Sequence, residues 1–166
     1  QIKKHGETMI LKWVKVDSLR EFQCWYDLHD HIYKNRYFIP PIKQQLIKLF
    51  KNETPYSSDI HLSFFMVVDE NGKTVARTTL HESKKFNQKL QQKTLLFGFT
   101  EFIKDMDVFE FLIHHMLGKA QGYDCLFGPA NLLPNQSGGV ILDGFDQRGF
   151  IDGTYNLDYY PKFFAE

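Results

Sequence analysis

The chain has 166 residues, enough for one domain with a substantial core, and sixteen phenylalanines raise its aromatic share to 16%. Twenty lysines and arginines balance twenty aspartates and glutamates, so no overall field draws in phosphate backbones, which argues against nucleic acid as a partner. The only two cysteines, Cys24 and Cys125, lie apart in apolar periodic segments. That pattern fits a reduced, cytoplasmic setting better than a disulfide framework or a metal site, and no apolar run is long enough for a bilayer.

In chain order, residues 1–8 precede Met9 and read as a leader or tag-like segment, leaving 9–166 as a single domain. Alternation over Ile10–Val16 predicts a strand. Ser18 and Glu21 form a capping-box pattern ahead of a helix with Leu19, Phe22, Trp25, Tyr26, His29, Ile32 and Tyr33 at helical spacing. Pro40-Pro41 breaks it, and Pro41 is expected in the first turn of a second helix reaching Phe50. His61–Val68 and Thr74–Leu80 read as a hairpin around Asp69-Glu70-Asn71-Gly72, with Asn-Gly supplying positive φ angles. The basic, Gln-rich stretch from Lys84 to Lys93 reads as a solvated loop. Thr94–Ile103 is a long strand. Asp107 and Glu110 are expected to cap a third helix that Gly122 ends, and Tyr123–Phe127 is a further strand. Eight of eleven glycines lie from Gly118 onward, which makes the last third loop-rich. The pattern predicts an α+β fold with a mixed, mostly antiparallel central sheet flanked by helices. The strands on either side of the third helix should be parallel.

Several phrases, in order, resemble a divergent branch of the GNAT superfamily of N-acetyltransferases: Asn35-Arg36-Tyr37-Phe38-Ile39-Pro40-Pro41-Ile42, Phe97-Gly98-Phe99-Thr100-Glu101, Gly128-Pro129-Ala130-Asn131, Asp143-Gly144-Phe145 and Tyr155-Asn156-Leu157-Asp158-Tyr159-Tyr160. The resemblance implies a GNAT-like sheet whose two parallel strands splay apart around an acyl-CoA co-substrate, acetyl-CoA or another. The acyl group would pass from the pantetheine thioester to an amine-bearing small molecule or peptide. Backbone at Phe97, Gly98 and Phe99 would cradle the pantetheine arm, and Asn131 would make a polar contact at the splay. Glu101 would be the general base and Tyr160 the acid that protonates the departing thiolate.

Bland readings stand beside these. Gly98 can relieve crowding between two phenylalanines, Glu101 can turn to solvent at a strand end, and Tyr160 can be core packing. Period-two alternation sets Glu101 on one face with Phe97, Phe99 and Ile103. There a carboxylate would be pushed toward the working range of a base.

The chain also departs from the family pattern. Where relatives carry a glycine-bearing pyrophosphate loop, it has Lys104-Asp105-Met106-Asp107-Val108, with two carboxylates in the anion position. Relatives also continue past the tyrosine helix into another strand. Its absence before Glu166 leads us to expect a second domain or a homodimer completing the sheet. A non-catalytic binding or interaction module on the same fold, half of a longer two-domain protein, is therefore the alternative to the enzyme. His29 and His31, two apart on a helix, cannot converge on a metal, and His114-His115 fails similarly. His81-Glu82 at a strand end has the chemistry for acid–base work but no supporting pattern.

Overall fold

The apolar alternation forms strands largely where it is expected, and two additional short hairpins flank the sheet. The structure is a computed structural model and describes residues 2–4, 7–132 and 137–166. It begins with an antiparallel pair, β1 (Ile2–Lys4) and β2 (Glu7–Met9), formed within the segment that reads as a leader. β3 (Lys12–Lys15), α1 (Leu19–Ile32), α2 (Lys43–Phe50), β4 (Ile60–Val68) and β5 (Thr74–Ser83) follow. Then come α3 (Lys84–Leu90), β6 (Thr94–Phe102), α4 (Met106–Lys119) and β7 (Cys125–Phe127). The short pair β8 (Ala130–Asn131) and β9 (Ser137–Gly138) and the terminal α5 (Tyr160–Ala165) complete the order.

The central sheet has the order β3-β4-β5-β6-β7. Its pairs are antiparallel except β6 with β7, which run parallel with Thr94 opposite Cys125 and Leu96 opposite Phe127. This is the expected mixed α+β architecture. One face packs Leu80, Phe102, Leu112 and Met116 under α4. The other packs Phe22, Trp25, Leu46, Phe64 and Met66 under α1 and α2. No helix among the described residues is long and apolar enough to cross a membrane.

Local chemistry accounts for the boundaries. The α1 capping box forms as expected: Ser18 Oγ accepts the Glu21 N–H, and the Glu21 carboxylate accepts the Ser18 N–H. Pro41 stays outside α2, because Ile42 is the extended N-cap and the Pro41 carbonyl accepts the Tyr26 hydroxyl. In the hairpin turn only Gly72 takes a positive φ. Asp69 Oδ1 accepts the N–H groups of Asn71 and Lys73, so an aspartate, rather than an Asn-Gly pair, shapes the turn. The expected loop at Lys84–Lys93 is mostly α3, started by Ser83, whose hydroxyl accepts the Phe86 N–H. Asn87 on α3 bonds both the N–H and the C=O of Thr94, as a neighbouring strand would. Asp105, not Asp107 or Glu110, caps α4 by accepting the Asp107 N–H. Gly122 lies beyond the Ala120 C-cap, with a φ of +86° in the turn to β7.

β6 carries the feature that positions everything below. Its register against β5 shifts between Thr79, which faces Gly98, and Arg77, which faces Glu101. Phe99 and Thr100 therefore oppose Thr78 alone, a β-bulge with Phe99 at a φ of +47°. The carbonyls near it find partners: Thr78 O accepts the Trp25 indole N–H, and Gly98 O accepts the hydroxyls of Thr79 and Thr100. The bulge also changes which face each residue meets. Phe97 packs with the α4 cluster, whereas Phe99 packs with the α1 cluster near Trp25. The single apolar face expected for Phe97, Phe99 and Glu101 is split.

Candidate functional site

A cleft of about 600 Å³ opens on the α1–α2 side of the bulge, within the size range of small-molecule sites. The approach to α2 (Phe38 to Ile42), α2 itself, the bulge, the β8–β9 pair and the segment 150–156 form its walls. Asparagines hold the loops that make these walls. Asn35 Oδ1 accepts the N–H groups of Tyr37 and Phe38, and its amide donates to the Tyr155 hydroxyl. Asn156 accepts the Ile141 N–H and donates to the Ile141 carbonyl, pinning a long loop shut. Two of the family-like phrases thus act here as loop architecture.

Among the expected site residues, Phe99, Glu101, Asn131 and Tyr160 all line the cleft. Phe97 does not; its ring stacks on Phe164 of α5. Gly98 does not line it either, and the room it leaves is taken by the chain itself. A Cβ added at Gly98 would lie 2.3 Å from Ala130 O and 2.9 Å from Ala130 C. One at Gly128 would lie 2.4 Å from Phe97 O and 2.7 Å from the Phe97 ring. Beyond Leu96 and Phe127 the parallel strands do part, but the segment 128–131 lies along the gap. The Phe99 N–H donates to Asn131 Oδ1 at 2.7 Å. At the expected cradle, Gly98 packs against β8, and Asn131 Oδ1 accepts the Phe99 main-chain N–H.

The start of α4 points the same way. Asp105 caps it and Asp107 sits in its first turn, where a pyrophosphate would need bare N–H groups. The residues present do not fit acyl-CoA in this arrangement.

Glu101 is buried at the cleft floor, and its surroundings are ionic rather than apolar. Its Oε2 lies 2.6 Å from Arg77 Nη2. Arg77, 1% exposed, also donates through Nη1 to the carbonyls of Trp25 and Tyr26, and stacks its guanidinium over the Trp25 ring. Its Nε is buried without a partner. Arg77 is the cleft residue that the sequence reading does not single out. The signal was an arginine inside an apolar strand, and finding its partner required the bulged register.

The tyrosine pair is resolved. The Tyr160 hydroxyl oxygen accepts the Phe102 N–H at 3.2 Å, and the Tyr159 hydroxyl donates to the Phe102 carbonyl at 2.5 Å. Both phenols thereby satisfy the outer edge of β6 where β7 has ended. Of the two only Tyr160 reaches the cleft. Burial, then the Glu101 charge, raises its pKa well above the ordinary phenol range. That moves it away from the thiol range in which a thiolate acid works best.

His81 lies outside the cleft but secures one of its walls. Its Nε2 is 2.8 Å from the Leu132 carbonyl, next to β8, and burial lowers its pKa to about 4 from an ordinary 6.5. The folded ring is therefore neutral and donates Nε2–H. Between these two values the unfolded chain binds the proton that the folded chain refuses. Stability should then fall by ~1.4 kcal/mol per unit as pH drops through that window and stay flat above it. Denaturant midpoints at pH 5, 6 and 7 check this, and His81→Gln should flatten the slope. Among the described residues no group of three or more His, Cys, Asp or Glu side chains could hold a metal ion.

No family model and no curated protein matches the chain. Among solved structures it is similar to glucosamine-6-phosphate N-acetyltransferase from Arabidopsis thaliana, at 16% identity and a TM-score of 0.43, over 71% of this chain and 80% of that one. It is also similar to a provisionally assigned acetyltransferase from Acinetobacter baylyi ADP1, at 14% identity and a TM-score of 0.41, over 68% of this chain and 66% of that one.

Proposed function

We propose that the domain is a ligand-binding module of N-acyltransferase-type architecture, and that its cleft receives an amine-bearing small molecule or peptide end at Glu101. One contrast carries the reading. The strand gap that a thioester arm would need is filled by Ala130 and Asn131, while a cleft with a buried carboxylate at its floor stays open beside it. Arg77 spends its Nη donors inside the protein, so Glu101 is the group that meets a ligand, and an ammonium suits it.

A second reading is acyl-CoA-dependent N-acyl transfer with Glu101 as base and Tyr160 as acid. The meeting of these two residues beside the β6 bulge favours it. It requires Ala130 to leave Gly98 and Asn131 to release the Phe99 N–H. Calorimetric titration separates the two. The binding-module reading expects heat with a primary amine, loss of that heat in Glu101→Gln, and none with millimolar acetyl-CoA. Saturable acetyl-CoA binding, with acyl transfer to an amine that Glu101→Gln slows, would establish the second reading instead.

A further inference from the structure

Resting on the cleft reading above, we infer that the ligand is a hydrophobic amine, with its ammonium at Glu101 and an alkyl or aryl body lying along the apolar mouth. Two independent observations support this. The first is the charge of the lining. Among the described residues Arg77 is its sole cation, against the carboxylates of Glu101 and the exposed Asp152. Arg77 Nη1 is held by the Trp25 and Tyr26 carbonyls and Nη2 by Glu101, and the two carboxylates outnumber this cation, so an incoming group meets net negative charge. A carboxylate or phosphate ligand finds no free cation there.

The second observation is the rim. Ile42 is 38% and Tyr56 43% exposed on the α2 side, and Phe150 is 73% and Ile151 55% exposed on the turn that lines the same cleft. Apolar groups that face water together around a concave site mark it for an apolar partner. The turn is a fixed structure. Gly149 N–H donates to Tyr37 O, Gly153 N–H donates to Phe150 O, and Asp152 takes a φ of +60°. A Cβ at Gly153 would lie 2.8 Å from the Phe150 ring. Glycine there lets the Phe150 ring pack closely against the turn while most of its surface stays exposed.

The test is calorimetric titration of the full chain with n-butylamine, n-hexylamine and n-octylamine below their aggregation limits, alongside 1-octanol and octanoate. Affinity is expected to rise roughly tenfold or more from butylamine to octylamine, as each methylene leaves water. Octylamine should bind about tenfold tighter than octanol, with octanoate weakest. Phe150→Ser/Ile151→Ser, at exposed positions, should erase the chain-length dependence. Glu101→Gln should erase the preference of octylamine over octanol.

A flat amine series would overturn the hydrophobic class and leave the amine cleft standing. Failure of every amine to bind would overturn the cleft reading itself. Octanoate binding as tightly as octylamine would overturn the charge assignment. Octylamine binding unaffected by both variants would put the ligand elsewhere and overturn the inference.

Discussion

Gly98→Ala is expected to destabilise the domain by about 3 kcal/mol, an overpacking cost at the upper end of the usual range. The new methyl group would lie 2.3 Å from Ala130 O and 2.9 Å from Ala130 C. Those are backbone atoms with no rotamer to escape into, and β8 is tied to the same spot through Asn131 and the Phe99 N–H. Relief would require the whole 128–131 segment to lift from β6. The substitution discriminates sharply. If the gap beside Gly98 were an open cradle for a ligand chain, alanine at a strand position would be neutral or mildly stabilising through the unfolded chain. Urea unfolding of the two proteins measures the difference.

Arg77→Met is expected to cost about 3–5 kcal/mol, because it strips the buried Glu101 carboxyl of its ion-pair partner. The carbonyls of Trp25 and Tyr26 lose their extra donor as well, though each remains within α1. The double variant Arg77→Met/Glu101→Leu should recover most of that loss, since apolar groups of similar volume often replace a buried ion pair with little penalty. A double-mutant cycle by guanidinium unfolding gives the coupling directly. Full recovery in the double variant would mark the pair as a feature kept for ligand chemistry rather than for stability. No recovery would mean that Arg77 acts mainly through the α1 carbonyls and the Trp25 ring.

Much of the scaffold was legible in the chain because its signals are local. Ser18 and Glu21 announce the start of α1 within four residues. The apolar alternation of Thr94–Ile103, the helical face from Phe109 to Ala120 and the short run Tyr123–Phe127 together declare a parallel βαβ unit. The features that decide the site are not local. The bulge at Phe99 arises from how β6 seats on β5, and it moves Glu101 from an apolar face to a position opposite Arg77. Residues twenty-four apart in sequence thus become an ion pair, and alternation alone cannot reveal it. A glycine within a strand signals close approach, but not by what; at Gly98 the neighbour is Ala130, thirty-two residues on and beyond a Gly-Pro break. α3 is hard to see in the sequence because five of its seven residues are polar or basic, and Phe86 and Leu90 alone carry its apolar periodicity. Its stability comes from Ser83 at one end and the Asn87–Thr94 bonds along its side.

The chain itself occupies the main-chain donor beside the β6 bulge, through Asn131 Oδ1. Residue-resolved hydrogen exchange at the Phe99 amide, with and without acetyl-CoA, reads that occupancy. A protected amide is expected in the free protein, released by Asn131→Ala and unchanged by acetyl-CoA. A Phe99 amide that exchanges freely alone and becomes protected when acetyl-CoA is added would contradict it.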